Sequence, residues 1–176
     1  MTTLITLAVL SVLALLYLNI FRPWQLRWGA TDEEIERDMP GDNVVNAPSF
    51  NATRAVTINA LAEHIYPWIV QIGVTRAGWY SYDVLDNLAR HSAETILPEH
   101  QKIQVGDIIP MSPDGKDGLY VKDFEENEWI LWWDNKGDNS WVWGMYPDKD
   151  GHSRLVTPCA GEIQMAPAQN YLQATD

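Results

Sequence analysis

Residues 119–157 read LYVKDFEENEWILWWDNKGDNSWVWGMYPDKDGHSRLVT, and this stretch decides the fold. Four runs rich in aromatic and β-branched residues, 119–124, 129–133, 141–146 and 154–157, alternate with Asp/Asn/Gly turn chemistry at 134–138 and 148–151. Short runs bounded in this way are strands joined by tight hairpins, so the stretch predicts an antiparallel meander. A further strand is predicted over 102–110, followed by a turn at 114–118. Successive side chains of a strand point to opposite faces. Trp129, Leu131 and Trp133 therefore share one face, and Trp141, Trp143 and Met145 share one on the hairpin partner. If the two coincide they form a broad aromatic floor.

Working outward, residues 50–58 (FNATRAVTI) alternate with period two and predict a first strand. Residues 61–72 place Leu61, Ile65, Trp68, Ile69 and Ile72 near one helical face, with Pro67 bending or interrupting the run. A second short helix is predicted over 82–90. The body is thus α+β: strand, two short helices, meander.

From Leu4 to Phe21 the chain has eighteen residues without a charge, about the minimum for a bilayer-spanning helix. No Lys or Arg precedes the run and no small-x-small site follows it, which argues against a cleaved leader. Residues 1–28 are therefore expected to be a membrane anchor, with Trp24 and Trp28 at the interface. Arg22 and Arg27 lie on its C-terminal side, which places the body of a single-pass protein in the cytoplasm. With the body outside, Asn51-Ala52-Thr53 becomes a glycosylation acceptor in a eukaryotic secretory setting.

The first 28 residues hold those two arginines and no acid, so with −12 on the whole chain residues 29–176 carry −14. So acidic a body has no electrostatic footprint for nucleic acid. Residues 29–49 form an acidic junction, opened by a capping box at Thr31–Glu34 and stopped by Pro40-Gly41-Asp42; its acids are expected to be a solvated face.

With these elements in order the body resembles the helix-grip fold of the START and birch-pollen-allergen superfamily, SRPBCC. The stretches Trp28-Gly29-Ala30-Thr31-Asp32-Glu33-Glu34, Ala52-Thr53-Arg54-Ala55-Val56-Thr57-Ile58, Tyr66-Pro67-Trp68-Ile69-Val70-Gln71-Ile72-Gly73 and Arg76-Ala77-Gly78-Trp79-Tyr80-Ser81-Tyr82-Asp83 are similar to a bacterial membrane-anchored group of undefined activity within it. The resemblance spans roughly residues 22–157 and implies a curved antiparallel sheet gripping a long C-terminal helix over an apolar cavity. It implies no reaction. After Thr157 it calls for a continued strand, a further strand and the helix, whereas 158–176 read PCAGEIQMAPAQNYLQATD, with no sustained period. The helix-grip domain is expected to be incomplete, occupying 50–157, with an irregular tail over 158–176. Two explanations stand: a short variant, or a shifted frame, since codons for 158–166 read one nucleotide later permit a basic alternating strand ending in Trp.

Nine Trp and seven Tyr suit an apolar pocket. The candidate ligand-binding residues are Trp79, Tyr80, Tyr82, Trp129, Trp133, Trp141 and Trp143, with Ser81 or Asp83 expected to cap the following helix. The predicted function is membrane-tethered binding of a small hydrophobic molecule, lipid or polyketide-like. The alternatives are a cyclase- or hydrolase-like enzyme using Tyr80, Tyr82, Asp83 or His64, and a truncated copy without function. The four histidines lack metal spacing, and the calcium-like start at Asp148 meets Cys159 where a Glu is needed. No G-x-S-x-G or P-loop occurs, and the lone Cys159 permits no intramolecular disulfide; no metal, cofactor or catalytic residue is predicted.

Overall fold

The computed structural model describes residues 2–162. Its chain begins with α1 (Thr2–Leu16), a π-helical turn (Tyr17–Phe21) and α2 (Arg22–Leu26), which run on as one helix. The widened turn lies just before Pro23, whose nitrogen cannot donate to the carbonyl four residues back. Thr6, Ser11 and Asn19 each return a side-chain bond to the carbonyl four residues earlier, so the run hides most of its polar groups. Thr2–Leu26 is long and apolar enough to cross a membrane, and none of its most apolar window is buried against the rest of the protein.

The body is α+β, built on one six-stranded, wholly antiparallel sheet in the order β1-β6-β5-β4-β3-β2. Its strands are β1 (Phe50–Ile58), β2 (Ile108–Pro110), β3 (Gly118–Glu125), β4 (Trp129–Trp133), β5 (Asn139–Pro147) and β6 (Ser153–Gly161). The α-helices are α3 (Asp32–Glu36) in the junction, and α4 (Ala62–Val70) and α5 (Asp83–Asp86) between β1 and β2. A strand, two helices and an antiparallel meander is the predicted order.

Several expectations are corrected. Strand β2 keeps only the last three of the nine residues predicted at 102–110, because Asp107 and Gln104 close a turn just before it. The helix predicted over 82–90 is a single turn: Leu88 and Ala89 take left-handed φ of 56° and 59°, which ends any helix. Strand β6 does not stop at Thr157. Pro158 and Cys159 lie between Thr53 and Ala52 of β1 on one side and Trp141 of β5 on the other, and pairing runs to Gly161. Since β6 is paired along both edges, the further strand that the resemblance calls for has no place beside it. The remainder of the predicted tail, 163–176, and with it the question of the long helix, lies outside the described residues.

Each face of the sheet has its own core. On the inner face Val121, Ile130, Trp132, Met145 and Leu155 pack against Ile65, Tyr66, Ile69 and Val70 of α4, and Trp132 is fully buried. On the outer face Ala55, Leu131, Val142 and Val156 pack under Met39, Val44 and Ala30 of the junction. The junction is therefore also a layer of the fold: Asp32, Glu33, Glu36 and Asp38 are exposed, as expected of a solvated face, and Glu34 is the exception. Its capping box forms as predicted, with Glu34 N–H donating to Thr31 Oγ1 and Thr31 N–H to Glu34 Oε2. Glu34 itself is buried and receives Arg154 of β6, Nε at 2.6 Å and Nη2 at 2.9 Å. The guanidinium holds the Glu34 carboxyl below the usual carboxylate range and is itself held further toward its charged form. The same guanidinium donates to the Gly29 carbonyl and to Thr57 Oγ1, and Trp28 C=O accepts from Ala55 N–H of β1. The end of the apolar helix is thereby tied to the sheet.

Candidate ligand groove

Strand parity decides which aromatics meet. Pairing sets Trp132 opposite Trp141 and Ile130 opposite Trp143, so these four side chains share the inner face. Trp129 and Trp133 pair with Gly144 and Ser140 and point outward. Trp129 packs on the outer core, and Lys122 Nζ stands 3.5 Å from the Trp133 ring centroid, a cation–π contact. The predicted floor is therefore corrected: Trp129 and Trp133 leave it and Trp132 enters. The run WILWW carries tryptophan on both parities, and only its pairing with β5 tells them apart.

Four tryptophans interlock on the inner face. Trp79, from the loop after α4, stacks on Trp141 with centroids 6.2 Å apart and planes 10° from parallel; Trp141 and Trp143 stack at 4.9 Å. Trp132 meets Trp79 and Trp141 edge-on at 6.5 and 5.7 Å. These offset and edge-to-face arrangements are the preferred ones for aromatic quadrupoles. Trp141 Nε1–H donates to Thr157 Oγ1 at 2.6 Å, whereas the buried Nε1–H groups of Trp132 and Trp143 have no partner among the described residues.

Beside this cluster a groove of about 500 Å³ runs between α4 and the sheet. Its walls are Ile58, Ala60, Ile65, Trp68, Ile69, Ile72, Trp79, Trp143 and Leu155, with His64 and Tyr80 as the polar members. Ile65, Trp68, Ile69 and Ile72 face it because they lie three or four residues apart on and just after α4, the spacing that predicted this helix. Pro67 sits inside α4 without ending it. Tyr80 rests edge-on against Trp68 at 5.6 Å, and its hydroxyl accepts from Gln71 Nε2. Gln71 is fully buried: its Oε1 accepts from Leu97 N–H and Gln101 Nε2, and its Nε2 also donates to Thr95 C=O. No sequence signal marked Gln71, which caps the C-terminal end of α4.

A second groove of about 480 Å³ lies across Trp79, walled by Trp79, Trp141, Trp143, Met111, Leu85, Ser81 and Asp86. Tyr82 lines neither groove and is 78% exposed. Asp83 caps no helix. Its carboxylate accepts from Ser92 N–H and Oγ–H, which hold it below its ordinary pKa, with His91 Nδ1 at 3.4 Å. Ser81 Oγ–H donates to Asp86 instead of capping. Of the groups that the catalytic alternative would use, Tyr80 and His64 share one groove wall, and Tyr82 and Asp83 lie elsewhere. Burial pushes the Tyr66 phenol up to about 12, with Glu126 and Glu125 adding to the shift, and raises the Cys159 thiol. A hollow of about 310 Å³ on the outer face, between the junction and β1, β5 and β6, is walled largely by polar groups such as Asp38, Asp42, Asn46 and Asn51. No group of three or more His, Cys, Asp or Glu side chains with the arrangement to hold a metal occurs among the described residues.

No family model and no curated protein matches this sequence. Among solved structures, a conserved protein of unknown function from Enterococcus faecalis aligns at 10% identity and a TM-score of 0.41, over 71% of this chain and 63% of that one. The chain thus spans a little under two thirds of that protein. A Polyketide_cyc-like protein of Corynebacterium glutamicum aligns at 18% identity and a TM-score of 0.38, over 69% of each chain.

Proposed function

We propose that this protein binds a small hydrophobic molecule in the groove between α4 and the inner face of the sheet, while its N-terminal helix tethers it to a membrane. The observation that carries the reading is the groove itself: a concave apolar wall with two polar members, Tyr80 and His64, at a volume usual for small-molecule sites. A few polar groups in an apolar wall orient a ligand without holding it by charge. The tether supports the same reading, because apolar molecules are concentrated in the bilayer beside the domain. The cytoplasmic side is favoured by Arg22 and Arg27 after the apolar run.

The test is quenching of tryptophan fluorescence by brominated alkanoic acids, using the full chain in lipid nanodiscs. Saturable quenching that disappears in Ala60→Trp, which fills the groove from its wall, supports the proposal. Equal quenching in the two proteins, or quenching that rises linearly without saturating, contradicts it.

A further inference from the structure

Trp79, from the loop after α4, and Trp143, from β5, line both inner-face grooves, so these two indoles mark the boundary between them. Its indole is held on two sides, flat against Trp141 and edge-on to Trp132. Its backbone is held on two sides as well. Before it, Gly78 has φ of +93° and exchanges N–H···O=C bonds of 3.0 and 3.1 Å with Gly73; a side chain at Gly78 would strike Ser92 and Asn87. After it, Tyr80 takes φ of +55°, a conformation that costs a non-glycine residue free energy and persists only where its surroundings impose it. Those surroundings are visible: Tyr80 N–H donates to Ser92 Oγ, Ser92 Oγ–H donates to Asp83, and the Tyr80 phenol is fastened to buried Gln71. Swinging Trp79 aside would break two ring contacts while its flanking residues stay fixed.

We infer that Trp79 is a fixed partition that sets the length of the ligand: the α4 groove takes a compact apolar molecule, and Trp79 denies longer chains the second groove beyond it. This rests on the reading of the α4 groove as the ligand site. Replacing the indole by a methyl group removes one of the two indoles at that boundary and should open a path past Trp143 toward Met111 and Leu85. A chain that crosses the partition buries additional methylenes there, each adding to affinity in proportion to the area removed from water.

The experiment uses the full chain in nanodiscs and unbranched carboxylic acids of eight to sixteen carbons, each with a diazirine at its far end. After photolysis the labelled residues are located by peptide mass spectrometry. In the wild type, label falls on the α4 groove and its yield drops with the longest probes. In Trp79→Ala, long probes gain about tenfold in apparent affinity for every two methylenes that cross, and their label moves to Met111 or Leu85. Met111→Trp, at a half-exposed position of the second groove, leaves the wild-type length profile unchanged and cancels the gain in the Trp79→Ala background. Trp79→Leu takes the place of Trp79→Ala if the latter loses its cooperative melt. Identical length profiles in wild type and variant, with label confined to the α4 groove, overturn the partition and leave the ligand site standing. Long probes that already label Met111 in the wild type overturn it too. If no probe of any length labels either groove above the level of Ala60→Trp, the ligand site falls and the partition with it.

Discussion

Arg154→Ala removes the group on which the junction, the apolar helix and β6 converge. The Arg154 and Glu34 side chains are 21% and 9% exposed, and the guanidinium makes two bonds to Glu34, one to Thr57 Oγ1 at 3.2 Å and one to the Gly29 carbonyl. Removing one partner of a buried ion pair costs about 3–5 kcal/mol, because it strands the other charge. Arg154 retains some solvent access and Glu34 keeps its bond from Thr31 N–H, so the loss here is set at the lower bound, about 3 kcal/mol. Glu34→Gln keeps the shape but exchanges charge-assisted bonds for neutral ones, for about 1.5–2.5 kcal/mol. The double variant strands no charge, so it should fall short of the summed losses by about 1–2 kcal/mol. The assay is urea unfolding of the full chain, followed by tryptophan fluorescence and fitted as a double-mutant cycle. The pH dependence has a definite sign. The carboxyl is held below its unfolded value, so its contribution is complete above the unfolded glutamate pKa, about 4.3, and is lost as pH falls through the folded value. Glu34→Gln should accordingly flatten the acid limb of the stability curve. Additive losses, a cost for Arg154→Ala under about 0.5 kcal/mol, or an unchanged acid limb in Glu34→Gln would refute the reasoning.

Three further outcomes follow from the same geometry. Trp132→Ala, at the fully buried centre of both the aromatic cluster and the inner core, should lose about 3–5 kcal/mol in the same unfolding assay, whereas Trp133→Ala on the outer face should lose far less. Gly29 sits at φ +75° with the Ala55 carbonyl where a Cβ would be, so Gly29→Val should lower stability by about 2 kcal/mol or more and loosen protection of the Ala55 amide in hydrogen exchange. Removing residues 2–26, which spares the Trp28 carbonyl bonded to β1, should move the chain from the membrane pellet to the soluble fraction; retention in the pellet would contradict a single anchor.

What the sequence disclosed was whatever depends on local pattern. Alternation in FNATRAVTI sets out β1 from Phe50 to Ile58, and Asp/Asn/Gly clusters place the hairpins, because turn chemistry is a property of a few adjacent residues. The Thr31–Glu34 capping box is equally local. What depends on pairing across the sheet was not legible. Trp132 and Trp133 are neighbours in WILWW, and only the register with β5 sends one into the core and the other outward. The burial of Glu34 needs Arg154, 120 residues away, and no charge count reveals such a pair. Pro158 looks like a strand breaker, yet proline is tolerated where the neighbouring strand does not need its N–H: the pairing with β5 skips Thr157 and Pro158 and resumes at Cys159, while β1 stays paired through to Gly161. The left-handed φ values at Leu88 and Ala89, which reduce α5 to one turn, have no glycine to announce them.

The most direct test of the ligand groove is native mass spectrometry of the full chain purified from cells in mild detergent, with Ala60→Trp prepared in parallel. Groove binding predicts a discrete apolar adduct of one mass on the wild type, absent from Ala60→Trp although the two proteins melt alike. An adduct retained equally by both proteins, or a wild type that carries none and takes up none when brominated alkanoic acids are added to saturation, would contradict it.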